Sequence, residues 1–453
     1  MPTRNYTKTT GLFRRTVIGS LFLVLFYFGC TNKKELWKFL HGHPGEGEGD
    51  QTGVAMLLTW NDAATQAVAR VGTGPDGPMP PMPESRIYAM VNVAMYDALN
   101  SIFPVNSPYA LLNMSDRDAS PDAALAKAAH DVIVALLPPE AGYADSIYQV
   151  SISAIADGTA RTKGIKLGAA AAAAMLAKRT GDGAAEAQTA YTPGTLPGNY
   201  RATPPFDGPP FNGFVAVPGW GKITPFGVAS ASQFRPVAPY SVNSAAYTSD
   251  YKDIKQLGGA TGSTRSAEQT EIGLFWLENC PLGWNRIARG LIRERSLDAW
   301  AAARLLGLLH IALADANISC LEAKYYYNFW RPITAVRLGD ADGNPDTKGD
   351  PSWDVLAPPT PPVPDYPSNH ATNGGAAAAI LKDFFGNDRI RFTATSSSLP
   401  GVSRNYSSFS QASRDNALSR IYVGYHFRNA VMKGESMGEK IGDYVFGHVL
   451  KPR

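Results

Sequence analysis

The sequence predicts an all-α protein made of two packed helical bundles, which are joined by a long proline- and glycine-rich segment. Apolar residues recur at spacings of three and four in many segments, as on the buried face of a helix. No segment shows the alternation of apolar and polar residues that would demand a sheet. The chain has 453 residues, of which 44% are hydrophobic and 18% charged, so it is long enough for two bundles and has a globular composition.

The first 29 residues are predicted to be an export signal. A basic segment (residues 4–15) precedes a short apolar stretch over residues 17–28, and Gly29-Cys30 follows. This order resembles a bacterial lipoprotein cleavage site, although Tyr27 stands where leucine is usual. We expect residues 1–29 to be a signal peptide and Cys30 to be lipidated, with ordinary signal cleavage or a retained anchor as the alternatives.

Residues 30–53 are largely polar and end in a glycine-rich run, which predicts a flexible tether. The protein would then be exported to the cell envelope, as a periplasmic or outer-membrane lipoprotein whose membrane contact is an N-terminal lipid anchor. The net charge of +3 argues against a nucleic-acid partner.

An N-terminal helical bundle is predicted over residues 54–180. Its predicted helices are residues 87–99, 123–137, 145–156 and 166–180. Residues 181–263 are dense in proline, glycine and aromatic side chains. We expect them to form an irregular connection that wraps the surface or shapes the mouth of a pocket.

A C-terminal helical domain that carries the active site is predicted over residues 264–453. Ser266 and Gln269 have the spacing of a capping box, which favours a helix start. Further helices are predicted over residues 297–318, 321–330 (a continuation or a separate helix), 374–385, 410–423 and 430–450. Cys280 and Cys320 lie in apolar stretches and are predicted to be buried free thiols, with a disulfide between them as the alternative.

Three short strings in this domain carry the functional prediction. The first is Lys324 followed seven residues later by Arg331-Pro332, the second is residues 367–370 (Pro-Ser-Asn-His), and the third is Ser419-Arg420 with His426. Lysine and arginine bind the oxygens of phosphate-like anions, and histidines transfer protons or attack and ligate a central atom. The strings therefore predict a pocket for a tetrahedral oxyanion.

The local geometry of each string can also be predicted. Lys324 and Arg331 would share one face of a continuous helix, which should end about residue 330 because Arg331 precedes a proline. Residues 367–370 would be a loop that enters a helix, whose free N–H groups attract anions. The arginine and histidine of the third string are about 120° apart on an ideal helix. They converge if the backbone breaks, and Gly424 is the candidate break.

In this order, Lys-x6-Arg-Pro, Pro-Ser-x-His and Ser-Arg-x5-His are the motifs of the vanadium haloperoxidase and type-2 phosphatidic acid phosphatase (PAP2) superfamily. The chain resembles the soluble haloperoxidase branch, and residues 92–100, 265–276 and 312–336 resemble it as well. The resemblance covers most of the chain after about residue 54, and it implies a vanadium haloperoxidase-like helical fold.

The resemblance also implies a role for each residue of the strings. The residues that would bind the oxygens of a vanadate cofactor are Lys324, Arg331, Arg420, Ser368 and, through its backbone N–H, Asn369. His426 would be the axial ligand of the vanadium atom. His370 would be the acid–base group beside it.

Proteins of this branch use hydrogen peroxide to oxidise a halide to a hypohalous-acid equivalent, which halogenates small organic acceptors. The resemblance implies this activity here, with iodide or bromide as the expected halide, and it leaves a homo-oligomer open. One alternative is a soluble acid phosphatase of the PAP2 superfamily, in which phosphate replaces vanadate and His426 is the nucleophile. The other is a non-catalytic envelope lipoprotein.

The chain departs from the family pattern at three places. Asn369 stands where glycine is usual, which adds a side chain beside the anion. Leu321-Glu322 replaces a common Trp-Asp pair. Asn429-Ala430 replaces a stretch that often carries an aspartate, which orients the axial histidine in relatives, so we expect the support of His426 to be weakened.

Overall fold

A computed structural model describes residues 49–73 and 78–453, and within them the fold is helical, as predicted. The predicted signal peptide, Cys30 and most of the predicted tether lie outside the described residues. The first described helix begins at Gly49, so the last residues of the predicted tether are helical.

The N-terminal part of the described chain contains five helices. They are α1 (Gly49–Val71), α2 (Pro81–Ile102), α3 (Pro121–Leu136), α4 (Ala141–Ser153) and α5 (Thr159–Arg179). The helix α3 ends just before Pro138, as predicted, because a proline ring cannot continue a helix. The helices α3 and α5 pack closely, since a Cβ atom on Gly168 would overlap the carbonyl oxygen of Ala124.

The connection over residues 181–263 is irregular for most of its length, but it ends in a helix that the sequence analysis did not predict. This helix, α6, spans Ala245–Leu257. The irregular part folds back on the C-terminal half, where the N–H of Ala216 donates to the carbonyl of Pro362 at 2.8 Å. The connection therefore lies beside the proline-rich loop over residues 358–367, which the second string continues.

The C-terminal part contains seven helices and one β-hairpin among the described residues. The helices are α7 (Ala267–Phe275), α8 (Cys280–Glu294), α9 (Ala299–Tyr327), α10 (Pro332–Arg337), α11 (Asn369–Phe385), α12 (Phe409–Tyr422) and α13 (Arg428–His448). The antiparallel hairpin pairs β1 (Phe392–Thr395) with β2 (Ser403–Tyr406). The predicted capping box at Ser266 and Gln269 is confirmed, with both hydrogen bonds present.

The helix α9 is the central element of the fold. It packs against α2 of the N-terminal half and against α11 of the C-terminal half, and all described helices belong to one compact unit. It is long and apolar enough to cross a membrane, but 94% of its most apolar stretch is buried inside the protein. Its apolar composition is therefore accounted for by its place in the core, and its C-terminal turn carries Lys324.

The helix α13 lies directly behind the start of α11. Gly434, Gly438 and Gly442 recur at every fourth position, so they form one stripe along α13. A Cβ atom on Gly438 would overlap the carbonyl oxygen of Thr372, and one on Gly434 would lie 2.6 Å from that of Ser368. The stripe thus lets α13 hold the second string in place.

Candidate active site

Lys324 and Arg331 come together through a turn and not along one continuous helix. The helix α9 ends at Tyr327, three residues before the predicted end. Asn328 adopts the left-handed conformation (φ 54°), and its N–H donates to the carbonyl of Lys324 at 2.8 Å. Asparagine tolerates this conformation better than most residues. Arg331 is extended, as expected before Pro332.

Both cations are anchored on the proline-rich loop. The Lys324 ammonium donates to the carbonyl oxygens of Pro364 (2.6 Å) and Asp365 (2.9 Å). The Arg331 guanidinium donates through Nε to the carbonyl of Val363 at 2.7 Å. These bonds hold the two basic side chains against the same three consecutive residues, 363–365.

The third string meets the first one at His426. Arg331 Nη1 lies 3.0 Å from His426 Nε2 and donates to the carbonyl of Tyr425 at 2.9 Å. The predicted backbone break is present, because α12 ends at Tyr422 and Gly424 has a φ of 87°. The chain then turns back, so that the N–H of His426 donates to the carbonyl of Arg420 at 3.3 Å.

The second string begins helix α11, as predicted. Ser368 is the residue before the helix, and its Oγ is buried without a hydrogen-bond partner in the described structure. The Asn369 amide donates to Asn317 Oδ1 at 2.8 Å. His370 is partly buried, and its Nε2 lies 3.1 Å from the carbonyl oxygen of Glu278. Ser368 Oγ is therefore a free hydroxyl beside the start of a helix.

Burial dominates the electrostatics of this cluster. It lowers the pKa of Lys324 to about 7 and that of Arg420 to about 10. It also lowers the pKa of both histidines, with Arg420 adding to the effect on His370 and Arg331 to that on His426. Both imidazoles are therefore neutral at physiological pH, and the three basic side chains of the strings surround the same small volume.

The residue that the sequence analysis missed is Asp365. Its side chain is fully buried, and Oδ1 lies 2.8 Å from His426 Nδ1. Burial raises the pKa of this carboxyl to about 7, although Arg331 and Lys324 oppose the rise. Asp365 therefore supports His426 from a different part of the chain than the stretch after His426, where the family often has an aspartate. A local signal existed, because Asp365 is the one acid in the proline-rich run that leads to the second string.

Two cysteines and one glutamate also lie near the site. Cys280 and Cys320 are buried free thiols, as predicted. Their sulfur atoms donate to the second string, Cys320 to the carbonyl of Pro367 and Cys280 to that of His370. Glu322, which departs from the family pattern, pairs with Arg235 on the connection.

Residues 304–453 match the family model described as the VCPO second helical-bundle domain. A stretch of 287 residues, 48% of this chain, is 28% identical to the vanadium chloroperoxidase of Curvularia inaequalis. The match spans 46% of that relative's length, so the chain is aligned to less than half of it.

Solved structures of vanadium-dependent peroxidases are similar in fold. A bacterial vanadium-dependent iodoperoxidase, described as the first of its kind, has a TM-score of 0.73 and 27% identity over 88% of this chain and 98% of its own. A holo-type bacterial vanadium-dependent chloroperoxidase has a TM-score of 0.65 and 17% identity, over 82% and 92% of the two chains. The domain match, the sequence relative and the fold agree with the three converging strings. The chain is therefore similar to vanadium haloperoxidases, and residues 304–453 match the model of their second helical-bundle domain.

Proposed function

We propose that this protein is a vanadate-dependent haloperoxidase, which oxidises iodide or bromide with hydrogen peroxide. The observation that carries the proposal is the burial of three cations in one cluster. Lys324, Arg331 and Arg420 are 0%, 1% and 2% exposed. Buried charges are costly unless they are paired, and the Asp365 carboxyl interacts with Lys324 and Arg331 but not with Arg420. A multiply charged oxyanion would pair with all three.

The remaining donors fit a tetrahedral oxyanion. Ser368 Oγ is buried and has no hydrogen-bond partner among the described residues, so it is available to donate. The N–H of Asn369 stands at the first position of α11, where backbone donors lack helical partners. Lys324, Arg331, Arg420, Ser368 and Asn369 would together hold the vanadate oxygens.

The two histidines would have different roles, one as a ligand and the other in proton transfer. When bound, vanadate supplies the electrophilic centre that activates hydrogen peroxide toward a halide. His426 would ligate it through Nε2, since Nδ1 is engaged by Asp365. His370 holds its proton on Nε2, which donates to the Glu278 carbonyl. His370 Nδ1 would then be free to accept a proton from hydrogen peroxide and to release it again as an acid.

Phosphate has the same shape as vanadate and a similar charge, so the same donors support the phosphatase alternative. In that reaction His426 Nε2 would attack phosphorus and His370 would protonate the leaving group. The family match favours the haloperoxidase. The decisive assay must nevertheless measure both reactions on one preparation.

The test starts from purified protein freed of oxyanions and then reconstituted with inorganic vanadate. Peroxide-dependent oxidation of iodide, bromide and chloride is measured beside hydrolysis of p-nitrophenyl phosphate. We expect halide oxidation that requires vanadate and is fastest with iodide or bromide. Phosphate release without halide oxidation would instead support the phosphatase. The absence of both activities and of vanadate binding would support a non-catalytic protein.

Variants of the two histidines separate their roles. His426→Ala should lose vanadate on gel filtration, because the ligand to the metal is removed. His370→Ala should retain vanadate but lose about 10²–10⁴-fold in turnover, the usual contribution of a positioned acid–base group. His448→Ala, which removes an exposed imidazole on α13, is the matched control and should behave as wild type. Equal behaviour of all three variants would contradict the proposed roles.

The predicted lipid anchor can be tested independently of the enzyme activity. We propose that Cys30 is lipidated and holds the protein in the cell envelope, on the strength of the basic, apolar and Gly-Cys order of residues 4–30. Cys30→Ser should abolish incorporation of a labelled fatty acid and release the protein from the membrane fraction. Unchanged labelling would reject the assignment.

A further inference from the structure

The buried side chain of Asp365 is held against one partner, His426. Its side chain is 0% exposed, and Oδ1 lies 2.8 Å from His426 Nδ1. The backbone of the same residue is fixed at both ends, since its N–H donates to the Phe329 carbonyl (2.9 Å) and its carbonyl accepts from Lys324. A carboxylate held this rigidly can impose an orientation on the imidazole that it contacts.

The neighbours of His426 define which ring nitrogen carries the proton. Arg331 Nη1 lies 3.0 Å from Nε2 and 3.4 Å from Nδ1, so Nε2 is the closer of the two. A carboxylate can only accept, so the His426 Nδ1 that contacts Asp365 Oδ1 must donate and carries the proton. The neutral ring then has its proton on Nδ1, where Asp365 Oδ1 is the acceptor. Asp365 alone defines the tautomer. Arg331 Nη1 is close to both ring nitrogens, so it lies against the face of the ring and leaves the lone pair of Nε2 open.

We propose that Asp365 is a positioning residue that holds His426 in the Nδ1–H tautomer, with the lone pair of Nε2 directed at the oxyanion site. It acts through His426 and does not itself touch the oxyanion. The assignment of that lone pair to vanadate rests on the proposed function. The tautomer of His426 does not, and it can be measured without any ligand.

A second buried carboxylate nearby provides a matched comparison. Asp250 Oδ2 accepts from the N–H of Asn429 at 2.8 Å, so it supports the backbone after His426 and not the imidazole. Asp250 and Asp365 both line a cavity of about 10 Å³, together with Ala430. The cavity is about large enough for one water molecule, which would satisfy Asp365 Oδ2, an oxygen with no hydrogen-bond partner among the described residues. Of these two acids, Asp365 is the one bonded to the imidazole.

The experiment uses the full chain labelled with ¹⁵N-histidine and free of vanadate. Two-bond ¹H–¹⁵N spectra report which nitrogen of each of the seven histidines is protonated, and His426→Gln assigns the resonance. In the wild type we expect Nδ1 to be protonated and Nε2 to be unprotonated. In Asp365→Ala the Nδ1 proton should shift or exchange rapidly, and the Nε2–H tautomer should become populated. Asp250→Asn should leave the His426 resonances unchanged.

The same variants are then titrated with inorganic vanadate by calorimetry. Asp365→Ala should bind about 10- to 100-fold more weakly, the usual effect of losing a group that orients a metal ligand. Asp250→Asn should bind as wild type. An Nε2–H tautomer in the wild type overturns the inference even if Asp365→Ala fails to fold. Unchanged His426 resonances in a folded Asp365→Ala protein overturn it as well. A wild type with the expected tautomer that binds no vanadate would contradict the proposed function and leave the positioning role intact.

Discussion

Asn369 has a side chain where the family usually has none, and its contacts decide what that side chain does. Its amide donates to Asn317 Oδ1 on α9 at 2.8 Å. Asn317 donates in turn to Asn373 Oδ1 (3.1 Å), and Asn373 donates to the Asn369 carbonyl (2.9 Å). The amide nitrogen is therefore engaged in tying α11 to α9. The sequence alone does not distinguish this structural role from that of an extra donor to the anion.

Replacing Asn369 tests this interpretation. Asn369→Ala should lower the free energy of unfolding by about 1 kcal/mol, the net value of one lost hydrogen bond. Asn369→Gly should cost up to about 1 kcal/mol more, because glycine is the poorer helix former. Urea unfolding measures both values. Calorimetry should give vanadate affinities close to that of the wild type, since the backbone N–H is kept. A large loss of affinity in both variants would mean that the amide binds the oxyanion directly.

The residues of the site that the sequence revealed are those whose spacing is local. Residues 367–370 read as a loop before a helix, and they are one. Asp365 is marked locally as the one acid of its proline-rich run, but it was missed because its partner, His426, lies 61 residues further along the chain and no sequence pattern pairs the two. Such contacts depend on how the helices pack, and the packing of helices is difficult to predict from a single sequence.

Helix ends were predictable where a side chain or a proline defines them. The capping box at Ser266 and the stop before Pro138 are both where the sequence placed them. The end of α9 was missed because Asn328 closes the helix by adopting the left-handed conformation, which no spacing reveals. The helix α6 was missed because it stands within a proline- and glycine-rich segment. A signal existed there, since Tyr247, Tyr251 and Ile254 have the helical spacing and are buried.

The packing of α13 behind α11 gives a prediction at the level of these elements. Gly438→Ala should destabilise the protein by about 1–3 kcal/mol, because the new methyl group would overlap the Thr372 carbonyl and push α11 away. Vanadate affinity should fall as well, since α11 carries Ser368 and Asn369. Thermal unfolding with and without vanadate measures both effects.

Gly447→Ala is the matched control on the same helix. A Cβ atom at Gly447 meets nothing within 4 Å, so this variant should be as stable as wild type or up to about 1 kcal/mol more stable. If Gly438→Ala and Gly447→Ala have equal stability and equal vanadate affinity, the close helix contact does not position the site.

At the level of the whole molecule, the buried basic side chains of the site lower the free energy of unfolding when no anion is bound. The protein encloses three cations within its core, and burial lowers the pKa of Lys324 from 10.5 to about 7. Below pH 7 the lysine is charged in both the folded and the unfolded chain, so the folded state carries the full desolvation cost. Between pH 7 and 10.5 the unfolded chain binds the proton and the folded one does not. The free energy of unfolding therefore rises with pH across this window.

Lys324→Met removes the titrating lysine. The difference between the wild-type and Lys324→Met free energies of unfolding at each pH therefore measures its contribution. The free energy of unfolding of the vanadate-free wild type, relative to that of Lys324→Met, should rise by up to about 5 kcal/mol between pH 7 and 10.5. Lys166→Met, at an exposed lysine on α5, should follow the wild-type profile. Urea unfolding at a series of pH values measures all three proteins. Parallel profiles for wild type and Lys324→Met would mean that this lysine is not desolvated as the structure implies.

Vanadate should flatten the wild-type profile, because a bound oxyanion favours the charged lysine and returns its pKa toward the ordinary value. Binding should also raise the free energy of unfolding, by about 2.7 kcal/mol at a concentration 100 times the dissociation constant. Inorganic phosphate should act in the same direction if the pocket recognises shape and charge, whereas chloride at equal ionic strength should not. If the wild-type profile keeps its slope in saturating vanadate, Lys324 does not interact with the bound anion. The proposed pairing of the buried basic side chains with the anion would then be wrong.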